Sequence, residues 1–122
     1  MKIAVTASGK SINAQIDPRF GRCRYFLIVD TDTMESEAVE NSSAEQSGGA
    51  GIRSAKQVVD QGAAYVLTGN CGPNAHRTLT AAGVGVIVDC SGTVKEVVEL
   101  FKAGELSTAG SANVSSHFGL DS

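Results

Sequence analysis

The sequence predicts a single α/β domain built on a mixed five-stranded sheet and covered by helices. Three observations predict it. The chain has 122 residues, 42% hydrophobic and 19% charged, which suits one packed core and not a disordered chain. Five short apolar runs read as strands. Three stretches with apolar residues at helical spacing lie between and after the later strands, giving the order β-β-β-α-β-α-β-α.

Residues 2–6, KIAVT, form a short buried strand, and residues 25–30, YFLIVD, a stronger one rich in aromatic and branched side chains. Residues 35–40, ESEAVE, alternate weakly and suit an edge strand. The stretch 42–51, SSAEQSGGAG, is a small polar loop. Ile52, Ala55, Val58 and Val59 then recur at helical spacing until Gly62 ends the run. AYVLT, 64–68, is another buried strand. Pro73 suits the first position of a second helix, with Ala75, Leu79 and Ala82 on its inner face and Gly83 as its stop. VGVIVD, 84–89, is a strand. Val94, Val97, Val98 and Phe101 mark a third helix that ends near Gly104. The domain is assigned to 1–106 and the Ser- and Gly-rich tail to 107–122.

Non-helical connections join the first three strands, which suits antiparallel pairing. The last two strands follow helices, which suits parallel addition. With those directions the loops 7–24, 41–51, 69–73 and 89–92 converge on one sheet edge. The same edge receives the amino ends of all three helices, Cys23, Cys71 and Cys90, and both arginines of DPRFGRC, 17–23. Open α/β sheets bind ligands at such edges.

Composition excludes several classes. Aromatic residues are only 5% and Trp is absent, which argues against a surface that stacks nucleic-acid bases. The apolar run at the N-terminus is too short for a signal peptide or a membrane span, so the chain is read as cytoplasmic and its three Cys as free thiols. The net charge of −3 is unevenly spread. Residues 10–24 hold Lys10, Arg19, Arg22 and Arg24 against Asp17, whereas 30–45 hold six acids and no base. This is a local basic field, not a general affinity for polyanions. ASGKS, 7–11, imitates the end of a phosphate-binding P-loop, but Ala4 stands where that motif needs Gly, and Pro18 leaves no room for its helix. A two-metal nuclease needs clustered carboxylates on the sheet; Asp30 and Asp89 end different strands and KIAVT has none.

The candidate site residues come from four motifs. In DPRFGRC, Arg19 and Arg22 would offset and hydrogen-bond an anion. Cys23 lies beside Arg22, whose charge would lower its pKa and favour a metal-binding thiolate; as a half-buried small hydrophobe it needs no such role. Cys71 precedes a helix start, where the dipole favours a thiolate, and His76 follows in the first turn as a second candidate metal ligand. Their spacing matches no zinc signature, and a small loop residue beside a solvated His fits equally. SGGAGI, 47–52, offers glycines and free amides that cradle an anion, or else an ordinary flexible helix entry. Cys90 reads as core packing, and His117, in the tail, as exposed or as a further ligand.

DPRFGRCRYFLIVD after a short first strand, then SGGAGIRSAKQVVDQG, then a strand and GPNA opening a helix, resembles the dinitrogenase iron–molybdenum cofactor biosynthesis family from residue 1 to about 106. The resemblance implies a ribonuclease-H-like fold with strand order 3-2-1-4-5 and helices on both faces. It implies a non-enzymatic carrier that binds an anionic metal–sulfur cluster of iron–sulfur, molybdenum–iron–sulfur or molybdenum–copper–sulfur type and exchanges it with donor and acceptor proteins, without nucleic acid or membrane. It carries the family's turn onto Phe20, Gly21 and Arg22, its Gly-rich loop onto Gly48, Gly49 and Gly51, and its strand-4 loop onto Cys71 to Asn74, with Asn70 and Gly72 alongside. Many small members lack Cys where this chain has Cys23 and Cys71, so thiolate ligation rests on chemistry alone. A sensor for small anions or nucleotides is the alternative function.

Overall fold

The computed structural model describes residues 1–43 and 49–109. In chain order its elements are β1 (Lys2–Ala7), β2 (Tyr25–Asp30), β3 (Ser36–Glu40), α1 (Ala50–Asp60), β4 (Tyr65–Leu67), α2 (Pro73–Ala81), β5 (Gly85–Ile87) and α3 (Val94–Lys102). They form one sheet of order β3-β2-β1-β4-β5. β1 pairs antiparallel with β2, placing Ile3 opposite Val29 and Val5 opposite Leu27, and parallel with β4. β3 is antiparallel to β2, and β5 parallel to β4. Both the strand order and the strand directions expected from the sequence are therefore observed.

The inner strands read as unbroken apolar runs because both faces are covered. Ala4, Phe26, Ile28, Val66 and Val86 share one core with Ala55 and Val58 of α1 and Ala75 and Leu79 of α2. Ile3, Val5, Leu27, Val29, Leu67 and Ile87 face the other way, onto Val94, Val97 and Val98 of α3. α3 begins with a capping box: Thr93 Oγ1 accepts from Glu96 N–H at 3.2 Å, and Glu96 Oε1 accepts from Thr93 N–H at 2.9 Å. The Thr93 N–H and the Thr93 hydroxyl, both donating to Glu96 Oε1, hold the Glu96 carboxyl below its ordinary pKa.

Differences from the sequence reading lie at element ends. β1 runs on to Ala7, which pairs with Tyr25. α1 starts at Ala50, ahead of the apolar periodicity, because Gly49 makes the helix entry at φ 69°. β5 is shorter than expected, and Asp89 turns the chain away at φ 63°. No helix follows β1, so ASGKS has no P-loop context. Of the tail, 107–109 are described: Ala109 N–H donates to Val86 O at 2.7 Å on the β5 edge. Among the described residues no helix is long and apolar enough to cross a membrane.

Candidate functional site

The arginine turn is fastened to the sheet edge by backbone bonds that sequence spacing does not reveal. Thr6 Oγ1 donates to Asp17 O at 2.6 Å and shares a 2.9 Å hydrogen bond with Thr68 Oγ1. Asp17 is itself buried. Its Oδ1 accepts from Arg19 N–H at 3.0 Å and lies 3.4 Å from Arg19 Nε. Asp17 therefore shapes the turn and offsets the charge of Arg19. Arg19 bridges to Asn70: Asn70 N–H donates to Pro18 O at 2.7 Å, and Phe20 N–H to Asn70 O at 3.2 Å. Only glycine allows this approach at position 69, where a Cβ would lie 2.7 Å from Pro18 Cα. A Cβ on Gly21 would lie 3.2 Å from Gly51 Cα, so the turn sits directly on the entry of α1.

Between these parts is a concavity of about 200 Å³. Phe20 and Gly21 form one wall; Gly49, Gly51 and Ile52 of the α1 entry form another; Gly72, Pro73, Asn74 and Ala75 of the α2 entry close it. Six residues named from the sequence (Phe20, Gly21, Gly49, Gly51, Gly72 and Asn74) therefore meet in one place. Both helices start from a glycine with no side-chain cap and carry no acid in the first turn. The first amides bonded back to the N-caps are Arg53 N–H to Gly49 O at 3.1 Å and His76 N–H to Gly72 O at 2.9 Å. The amides of Gly51, Ile52, Asn74 and Ala75 precede them and have no acceptor within the helix. Two positive helix ends thus open on one concavity to whose lining the described residues contribute no carboxylate, an arrangement suited to an anion.

The sequence reading overlooked Arg53. Its Nη1 lies 3.1 Å from where a Cβ on Gly49 would be, at the mouth of the α1 entry. A helical side chain covers the turn N-terminal to its own Cα, so a cation four residues after SGG was the available signal.

The thiols depart from expectation. Cys23 and Cys71 are wholly buried in the core that Phe20 and Ala75 share, and neither lines the concavity. Cys23 Sγ donates to Phe20 O at 3.3 Å. Burial, with Asp17 adding to it, pushes the Cys23 thiol far above its ordinary pKa, so the lowering expected from Arg22 does not occur. Burial likewise pushes Cys71 up to about 12, against the helix dipole expected to favour its thiolate. Cys90 packs in the opposite core, beneath α3, and is pushed up to about 11. The ring Nε2 of His76 lies 3.3 Å from Ala109 O, at the start of the tail. Gly48 and His117 lie outside the described residues. Among the described residues no group of three or more His, Cys, Asp or Glu is placed to hold a metal ion.

These buried thiols predict an alkaline limit on stability. Each folded pKa lies above the unfolded value near 9, so the folded chain keeps protons that the unfolded chain releases. The stability this gives is complete below pH 9 and falls as pH rises toward 11 and 12, by about 1.4 kcal/mol per pH unit for each thiol. Urea midpoints are expected to fall from pH 9 upward, and more gently in a Cys71→Ala, Cys90→Ala variant. Equal slopes for variant and wild type would refute the assignment.

Comparison with known proteins places the chain in a family. The family model described as dinitrogenase iron–molybdenum cofactor matches residues 1–104. The chain is 43% identical to the apo form of the orange protein from Desulfovibrio gigas, with a TM-score of 0.89 over 92% of this chain and 95% of that one. It is 36% identical to a Thermotoga protein described as a putative NifB protein, with a TM-score of 0.76 over 88% of this chain and 91% of that one. An uncharacterized protein of Methanocaldococcus jannaschii, MJ0580, is 30% identical over 87% of this chain and 89% of its own length. By the span of the family match and the identity of these relatives, the chain belongs to the dinitrogenase iron–molybdenum cofactor family.

Proposed function

We propose that the protein is a non-catalytic carrier that holds an anionic metal–sulfur cluster as cargo in the concavity at the sheet edge. One observation carries this reading: two helix entries without side-chain caps and the Phe20–Gly21 part of the arginine turn meet around a space to which the described residues contribute no carboxylate. Metal–sulfur clusters are anions whose sulfides accept hydrogen bonds, and backbone amides with guanidinium groups meet that chemistry. The donor set present is one of hydrogen-bond donors rather than thiolates, so the cargo is captured electrostatically. Cys23 and Cys71 would ligate only after the core beneath the site opened. Weak, reversible holding suits a carrier that exchanges cargo with donor and acceptor proteins in the cytoplasm. An iron–sulfur, molybdenum–iron–sulfur or molybdenum–copper–sulfur cluster fits this chemistry. In this reading a ribonuclease-H-like fold serves binding rather than cleavage.

The second reading, a sensor for small anions or nucleotides, draws on the same amides. At about 200 Å³ the concavity is smaller than the roughly 300–1,000 Å³ typical of sites that enclose drug-sized ligands, which favours a compact inorganic anion over a nucleotide.

The test is anaerobic expression with iron, molybdenum and copper supplied, followed by metal analysis and a visible spectrum of the untagged product. Stoichiometric metal with sulfide-to-metal charge-transfer bands is expected. Cys23→Ala and Cys71→Ala are expected to retain the bands, while Arg22→Gln weakens binding about tenfold by lowering the positive charge of the turn, since Arg22 itself lies outside the lining. Colourless, metal-free protein after cluster reconstitution would refute the carrier. Loss of the bands in the alanine variants would return the thiols to the ligand set.

A further inference from the structure

One buried side chain holds the turn that carries Arg22. Asn41 follows β3 directly and is 5% exposed. Its Nδ2 donates to Cys23 O at 2.9 Å and to Gly21 O at 3.3 Å, the carbonyls on either side of Arg22. Its Oδ1 accepts from Ser54 Oγ at 3.0 Å and from Ser43 N–H at 3.1 Å. Its own N–H donates to Arg24 O at 3.0 Å. Ser54, in α1, is fully buried and lies 3.4 Å from Gly21 O. A single amide thus ties together the arginine turn, the chain leaving β3 and the helix whose entry walls the concavity.

A buried amide is costly unless its hydrogen-bonding capacity is used, and an apolar residue would fill the same space at lower cost. Asn41 spends both ends of its amide on bonds that set the turn's position relative to α1. It does not line the concavity. We propose that Asn41 is a positioning residue for the anion site: it locks the Arg22 turn onto α1 so that the turn and the two helix entries address one ligand. The inference rests on the anion-binding reading above and adds to it the residue that sets the geometry.

The test is a double-mutant cycle read by calorimetric titration with tetrathiomolybdate, using wild type, Asn41→Ala, Arg22→Gln and the double variant. If Asn41 acts through the turn, Asn41→Ala weakens binding about tenfold in the wild-type background and less than about twofold once Arg22 is already Gln. A purely structural role lowers the melting temperature but costs the same affinity in both backgrounds, or none, and that result overturns the inference. Should Asn41→Ala fail to fold, Ser54→Ala removes one partner of the same amide and is cycled against Arg22→Gln with the same expected coupling. Wild type that takes up no tetrathiomolybdate overturns the anion-binding reading and this inference with it. Wild type that binds without coupling overturns this inference alone.

Discussion

Phe26→Ala is expected to remove about 3–5 kcal/mol of stability, a large share of the roughly 5–15 kcal/mol a domain has to lose. Phe26 is among the largest fully buried side chains and faces the core shared with α1 and α2. Its ring packs 5.5 Å from that of Phe20, tilted by 46°. The truncation leaves a cavity between the sheet and the wall of the concavity, and neighbours relax into such a space only in part. The melting temperature should drop by about 10–20 °C and the urea midpoint with it, at an unchanged denaturant slope. Anion affinity should fall as well, because Phe20 lines the site and loses the ring it packs on. A thermal shift no larger than that of Lys56→Ala on the exposed face of α1 would show that the ring is not a core support.

The architecture was legible because each element states itself locally. YFLIVD is buried at four consecutive positions in the middle of the sheet, and such a strand has no polar face to confuse its period. Pro73 and Gly83 bracket α2 for reasons that hold in any fold: a ring that suits the first helical turn and a residue free to adopt φ 81° after the last. Strand directions followed from connection lengths, and once these were set the edge that gathers the loops was determined as well. The convergence of the loops that carry Phe20, Gly21, Gly49, Gly51 and Gly72 was legible for the same reason, while the choice of these residues within the loops, and of Asn74, came from the family resemblance.

What was not legible depends on which way a side chain points. Cys71 one residue ahead of a helix start can face the dipole or the core, and the sequence is identical in the two cases. The structure turns it inward, where desolvation outweighs the helix end and keeps the thiol protonated. Cys23 follows the same logic, with Asp17 rather than Arg22 as its largest charged influence. Asn41 was hidden for a different reason. In ENSS, an Asn after an edge strand reads as turn chemistry, and nothing local tells that its amide reaches Gly21 and Ser54, 20 and 13 residues away in sequence. Arg53 combines both problems, because its reach back over Gly49 depends on where α1 begins, and the apolar periodicity missed that start.

Gly72→Asp is expected to raise stability and strongly weaken binding, an opposition that ordinary damage to a site does not produce. Gly72 is the N-cap of α2 in the extended conformation, at φ −72° and ψ 168°, which any residue adopts. A Cβ there meets nothing within 4 Å. An Asp carboxylate would accept from the amides at the second or third helical position, Asn74 or Ala75, and place its charge at the positive end of the dipole. Relative to glycine the cap contributes a few tenths of a kcal/mol, and the favourable charge raises the total to about 1 kcal/mol. The same carboxylate occupies donors assigned to the anion and adds a like charge beside it. Losing one charge-assisted contact while gaining repulsion should lower the affinity for tetrathiomolybdate by about a hundredfold or more. Gly72→Ala separates the two effects: it fits the same backbone, supplies no cap and no charge, and should bind close to wild type with slightly lower stability. If Gly72→Asp bound as tightly as wild type, the amides of α2 could not be the ligand's donors. The site would then have to be sought at the arginine turn and the α1 entry alone.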